Sequence, residues 1–206
     1  MNSMFRNCSN FNSAVSFTST PVVNDMSRMF DLCINFNQPL TFNTPVNTTT
    51  FRMFANCTSF NSPLIFTNTG ALQTMNSMFL GCTVFNQPLT LNTSAVINMS
   101  SMFASCTAFN SLLTFSSTAL VQTMDNMFNA ASAFNNGGSS SIGSWNTSAV
   151  TNMSSMFQSA TVFNKPLTWN TGAVTSMNSM FSFATNFNST LTFTSTALVN
   201  DIGLCL

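Results

Sequence analysis

The sequence predicts a repeat solenoid, a coil in which short and similar units stack on one another. The chain of 206 residues repeats a unit of 24 or 25 residues that reads M-x-x-M-F-x-x-C/A-x-x-F-N. All 15 methionines lie in two columns of this unit, and nearly all phenylalanines lie in three others. Each unit is too short to bury its own apolar face, so the units must stack to form one continuous core.

The first part of the unit predicts a short helix. Apolar residues recur at i, i+3, i+4 and i+7 from the first Met, which is the spacing of one helix face. The residue before that Met is Asp, Asn, Ser or Thr in every unit, and these residues cap helix N-termini. A helix of about two turns is therefore expected in each unit.

The second part predicts stacked rings and a short strand. A Phe-Asn pair closes the motif, which indicates a file of rings beside a ladder of asparagine side chains. An alternation such as Leu167-Thr168-Trp169 follows and is typical of a strand with its apolar side chains facing the core. In-phase strands would pair in parallel and present an outward column as a candidate ligand face. That column is Ser16, Thr41, Thr90, Thr114, Thr168 and Thr192, interrupted by Ile65.

The repeat predicts one uncapped domain over residues 1–206. About eight rungs, each with one strand and one helix, would start near residues 1, 26, 50, 75, 99, 124, 153 and 177, with a partial last rung at 202–206. Residues 136–141 form a Gly/Ser-rich insertion, which is either a tolerated surface loop or a binding loop. Without polar caps, both ends are predicted to be association sites. The candidate assembly residues are Met1, Met4, Phe5, Ile202, Leu204, Cys205 and Leu206.

The composition excludes several classes of function. Charged residues make up only 4% of the chain and the net charge is zero, which argues against a nucleic-acid partner. No apolar run is long enough to span a membrane. Histidine and tyrosine are absent and the only acids are four aspartates, so no enzyme activity and no cofactor are expected. Asp25 and Asp31 beside Arg28 are interpreted as a solvated surface trio.

Five cysteines share one column of the repeat. They are Cys8, Cys33, Cys57, Cys82 and Cys106, and Ala takes the same position in later units. Buried free thiols are favoured, although disulfides between adjacent rungs, as Cys8–Cys33 and Cys57–Cys82, are geometrically conceivable. No second ligand type accompanies the thiols, so no metal site is predicted. Cys205 lies outside the column and is the best candidate for a bridge to another chain.

The string V-x-N-M-S-S-M-F-x-x-C-x-x-F-N-x-P-L runs over residues 96–113, with Leu112 in place of Pro, and over residues 150–167, with Ala160 in place of Cys. It resembles the BspA-like leucine-rich-repeat surface protein family. It is most similar to the Met/Phe-rich mycoplasmal-type branch. The resemblance implies a right-handed, leucine-rich-repeat-like solenoid with a parallel sheet along one side. It also implies an extracellular or cell-surface location and a role in adhesion.

Two functions, and remotely a third, follow as hypotheses. The first is a non-catalytic extracellular structural protein that stacks head to tail with its own copies into a surface fibre or filament. The second is an adhesive module that presents the sheet face to a glycan or protein ligand. The remote third is ice binding through the threonine column.

Overall fold

The computed structural model describes residues 1–17 and 22–196, whose regular elements are six short strands and two 3₁₀ turns. The strands are β1 (Leu40–Phe42), β2 (Leu64–Phe66), β3 (Leu89–Leu91), β4 (Leu113–Phe115), β5 (Leu167–Trp169) and β6 (Leu191–Phe193). The 3₁₀ turns are η1 (Asn136–Gly138) and η2 (Ser141–Ser144). The strands pair in parallel as β1–β2, β3–β4 and β5–β6.

The repeats stack in phase. Isolated parallel bridges join the residue before the first Met of one repeat to the same residue of the next, along Asp25, Thr49, Thr74, Asn98, Thr123, Asn152 and Ser176. The Phe rings of neighbouring repeats stack in files, with centroids 5.6 Å apart for Phe54–Phe79 and 5.7 Å apart for Phe60–Phe85. The Met columns and the two Phe columns of the M-x-x-M-F-x-x-C-x-x-F-N motif are buried in the inner repeats, whereas the strand residues Phe66 and Phe115 are partly buried. A repeat architecture with short parallel strands, as the sequence predicts, is therefore confirmed.

The prediction of a helix in each rung is wrong, because the M-x-x-M-F-x-x-C segment is a series of tight turns within the described residues. In the repeat that starts at Met26, the amides of Met29, Asp31 and Cys33 donate to the carbonyls three residues before them. The amides between them leave the repeat: Arg28, Phe30 and Leu32 donate to Phe51, Met53 and Ala55 of the next repeat, each at 2.8 Å. Arg28 and Leu32 have φ of 56° and 66°, in the left-handed region that no α-helix contains.

Stacking explains why turns replace the helix. An isolated helix of two turns is marginal in water, whereas the turns pair every second amide with the neighbouring repeat. Both conformations place the two Met, the Phe and the Cys inside, so apolar spacing does not distinguish them. The predicted capping bond exists, since the Ser27 amide donates to Asp25 Oδ1 at 2.7 Å, but it stands at the start of a turn and not of a helix.

The insertion interrupts the row of strands. Between β4 and β5 one repeat has η2 in place of a strand, with Ile142 and Gly143 buried. The predicted loop insertion thus contains η1 and leads into η2, both anchored to the stack, with Asn136 buried as well. No helix in the described part of the chain is long and apolar enough to cross a membrane.

Candidate functional site

The outward side of the strands carries the predicted hydroxyl column. Each strand residue of this column is exposed, while the leucine before it is buried in all strands except β6. Strand pairing sets Thr90 beside Thr114 and Thr168 beside Thr192, and it sets Thr41 beside Ile65, which is 53% exposed. Ser16 is exposed at the start of the column. The column is broken between Thr114 and Thr168, where the insertion lies.

The chemistry of this face is uniform. None of its side chains carries a charge, and paired hydroxyls recur at the strand spacing of about 4.8 Å. Each hydroxyl donates one hydrogen bond and accepts two. The face therefore offers hydroxyl hydrogen bonds and no ionic contact.

The predicted asparagine ladder is confirmed beside the Phe files. Each asparagine of the Phe-Asn pairs accepts, through Oδ1, the backbone amide of the same asparagine in the next repeat. The donor–acceptor distances are 2.8–3.0 Å along Asn12, Asn37, Asn61, Asn86, Asn110, Asn135, Asn164 and Asn188. Side-chain hydrogen bonds thus continue through every interface between repeats.

A second ladder, of buried threonines, was missed from the sequence. Each of these threonines donates its hydroxyl to a carbonyl of the next repeat, as Thr69 does to Asn92 at 2.8 Å and Thr147 to Asn170 at 2.8 Å. The members are Thr44, Thr69, Thr93, Thr118, Thr147 and Thr171. The signal was present, because an Asn-Thr or Ser-Thr pair ends two or three residues after each of β1 to β5, and Asn146-Thr147 follows η2 in the same way.

The column cysteines are free thiols that bind backbone oxygen. Cys33, Cys57, Cys82 and Cys106 each donate from Sγ to the carbonyl of a Phe in the preceding repeat at 2.9 Å. Burial raises the pKa of Cys33 to about 11, and burial raises the pKa of the three deeper thiols too. These thiols therefore stay protonated at neutral pH and are poor nucleophiles. Cys8 is exposed.

The interpretation of Asp25, Asp31 and Arg28 as a solvated trio is wrong for Asp31. This carboxylate is only 1% exposed and pairs with Arg6 Nε at 3.4 Å and with Arg52 Nη2 at 3.2 Å. Its partners come from the repeats before and after, so the three side chains join three repeats. Arg28 instead lies over the ring of Phe51, 5.4 Å from the centroid.

Asp125 is a partly buried carboxylate. Burial raises its pKa, but hydrogen bonds with Ser100, Thr123 and Asn126 outweigh that effect and the net pKa lies below its usual value. Within residues 1–17 and 22–196, no three His, Cys, Asp or Glu side chains come together as metal ligands would.

The candidate assembly residues fall into two groups. At the first repeat Met4 is 57% exposed, and Met1 and Phe5 are half-buried. Ile202, Leu204, Cys205 and Leu206 lie outside the described residues, as does the predicted partial rung at 202–206.

Comparison with known proteins gives one family. The sequence profile of a family described as "Mycoplasma protein of unknown function, DUF285" matches residues 1–91 and, again, residues 75–194. Neither a curated protein nor a solved structure matches the chain.

Proposed function

The chain belongs to the DUF285 family, and we propose that it is a non-catalytic structural protein whose copies stack end to end into an extracellular fibre. Within that family we place it in the Met/Phe-rich, BspA-like branch, on the cell surface, as a right-handed coil of about eight rungs. The basis for this placement is the M-x-x-M-F-x-x-C-x-x-F-N motif and its regular return.

The observation that carries the proposal is that the two faces of a repeat are complementary. Between neighbouring repeats, amides of the M-x-x-M-F-x-x-C turns donate to carbonyls of the later repeat, as Phe30 does to Met53. Amides outside these turns donate to the earlier repeat, as Ser59 does to Ile34. A repeat without a neighbour therefore offers the amides of its turns on one face and the carbonyls of its turns on the other, each beside apolar Met and Phe side chains. One copy thus fits the next by a heterologous contact that propagates without closing.

The charge distribution also favours association. With a net charge of zero and only eight formal charges, copies of the chain repel one another weakly. The same bonds that join repeats within a chain would then join repeats of two chains.

Sedimentation velocity and negative-stain electron microscopy of the full chain test this proposal. We expect association that rises with protein concentration, and fibres whose width is that of a single chain. Met4→Lys places a charge on the exposed face of the first repeat and should abolish association, whereas Thr90→Lys on the sheet face should not. Monodisperse monomers at millimolar concentration would overturn the proposal.

The second candidate is an adhesive module, favoured by the exposed hydroxyl column. Its partner would be an uncharged glycan or protein surface that contacts Thr90 and Thr114. We expect Thr90→Lys/Thr114→Lys to lose binding on a glycan array while association is unchanged. Equal binding by the wild type and this variant would rule out the column as the ligand face.

A further inference from the structure

The repeat that contains the insertion leaves a gap in the row of strands. Its η2 turn packs against the start of β5: a Cβ at Gly143 would lie 2.3 Å from the Pro166 carbonyl oxygen. The Trp169 indole donates to the Ile142 carbonyl at 3.0 Å, which fixes η2 to β5. The turn therefore covers β5 and leaves β4 without a strand on its far side.

The far edge of β4 has free hydrogen-bonding groups. The ladder to β3 includes Leu112 as an acceptor, at 3.2 Å, and Ser116 as a donor, at 3.1 Å. Successive residues of a parallel strand point their backbone N–H and C=O groups to opposite edges, so those of Leu113 and Phe115 point away from β3. The Leu113 amide is bonded to Asn136 Oδ1 at 3.2 Å. Within the described residues, the insertion makes no hydrogen bond with the Phe115 amide, the Phe115 carbonyl or the Leu113 carbonyl.

A cavity of about 450 Å³ lies along this edge. Residues 112–118 form one wall, and Ser139, Ser141, Ser144, Trp145 and Asn146 form the other. At β2 and β3 the backbone ladder is also interrupted, but those two strands remain adjacent. At β4 the insertion keeps the space open, with a volume in the range of ligand sites.

We propose that this cavity binds an extended peptide segment of a partner protein, which adds to β4 as a further strand. The free amide of Phe115 and the carbonyls of Leu113 and Phe115 need a partner that alternates backbone donors and acceptors, as an extended peptide does. The lining side chains are uncharged, so the segment would be uncharged as well, with small or hydroxyl-bearing side chains toward the serines.

The position of Trp145 favours a peptide over a sugar. A sugar ring stacks on an open aromatic face, whereas the Trp145 ring packs on Phe115 at 5.3 Å and on Phe128 at 6.5 Å. The proposal is independent of fibre formation, because the cavity lies on the side of the stack and not at the face of a repeat.

A synthetic peptide with the sequence of residues 86–93, capped at both ends, is a suitable probe because this segment contains β3, which pairs with the near edge of β4. Fluorescence anisotropy of the labelled peptide against the full chain measures binding. The same peptide with alternate backbone amides N-methylated keeps its side chains but has fewer backbone hydrogen-bond donors. We expect micromolar binding of the first peptide and a loss of at least about tenfold with the second, which corresponds to one or two hydrogen bonds.

Matched variants locate the site. Ser144→Tyr fills the cavity and should weaken binding about tenfold or more, whereas Ser148→Tyr, also exposed but outside the lining, should leave the affinity within about twofold. Near-UV circular dichroism checks that both variants fold. The proposal is overturned if the N-methylated peptide binds as well as the unmodified one, if neither peptide binds at millimolar concentration, or if only chito-oligosaccharides bind. The two-peptide comparison uses the wild-type chain and stands even if Ser144→Tyr fails to fold.

Discussion

Replacing one ring in the middle of a Phe file should destabilise the whole stack. Phe85 is fully buried and stacks on Phe60 at 5.7 Å, Phe79 at 4.4 Å and Phe109 at 5.7 Å. Phe85→Ala removes the apolar contacts and leaves a cavity, at a cost of about 3–5 kcal/mol. Phe85→Leu keeps most of the apolar volume and loses three ring pairs, each about 0.5–1.5 kcal/mol, so its cost should be about 1.5–4.5 kcal/mol and below that of Phe85→Ala.

Urea denaturation followed by circular dichroism measures these costs. With a slope of about 2 kcal/mol per M, a loss of about 4 kcal/mol lowers the midpoint for Phe85→Ala by about 2 M. Phe11→Ala is the matched control, because that half-buried ring belongs to the first repeat and has a ring of another repeat on one side only. Its effect should be at most half as large. Equal shifts for Phe11→Ala and Phe85→Ala would refute the argument that stability comes from files continued on both sides.

Three other perturbations follow from the ladders and the buried groups. At pH 8 iodoacetamide should alkylate Cys8 in the native chain but not Cys33, because a pKa of about 11 leaves about one Cys33 thiol in a thousand ionised. Mass spectrometry of peptides from a Cys205→Ser variant detects the alkylated cysteine. Rapid labelling of Cys33 in the native chain would contradict this prediction. Asn86→Ala removes the acceptor for the Asn110 amide and should lower the free energy of unfolding, measured by thermal unfolding, by about 1 kcal/mol. Asn86→Asp keeps an acceptor and should lower it less. Equal losses in the two variants would rule out a role for the Oδ1 hydrogen bond. The folded-state pKa of Asp125 is lowered, so its contribution to the free energy of unfolding is present above the unfolded pKa of about 3.9 and is lost as pH falls through the folded value. Asp125→Asn should therefore flatten the loss of stability between about pH 4 and pH 2. An unchanged slope of stability against pH would contradict this.

The sequence predicted those features that repeat with the period of the chain. The Met and Phe columns are buried because a side chain that recurs in phase must meet its own copy in the next repeat. The outward threonines and the asparagine ladder follow from the same argument. No partner had to be guessed in these cases, since the partner of each residue is the same residue one repeat away.

The errors came where one spacing serves two conformations or where a partner lies across repeats. The i, i+3, i+4, i+7 pattern suits a helix and the observed turns equally, and inter-repeat amide bonds decided between them. Asp31 has no cation of its own repeat as a partner, so its ion pairs with Arg6 and Arg52 were not visible in the local sequence. The gap beside β4 depends on how the insertion folds, which its Gly/Ser composition does not specify.

Within the M-x-x-M-F-x-x-C turns, the amides that cross from each repeat to the next all point toward the later repeat, whereas amides outside these turns, such as those of Asn35 and Thr48, donate to the repeat before. In the repeat that starts at Met26 three peptide units are aligned with that axis, through the amides of Arg28, Phe30 and Leu32. A peptide unit has a dipole of about 3.5 D, so these three units contribute about 10 D, and the opposed amides of the repeat offset part of that moment. The turns of a chain with no net charge thus form an electrically polar column, with its positive pole toward the later repeats.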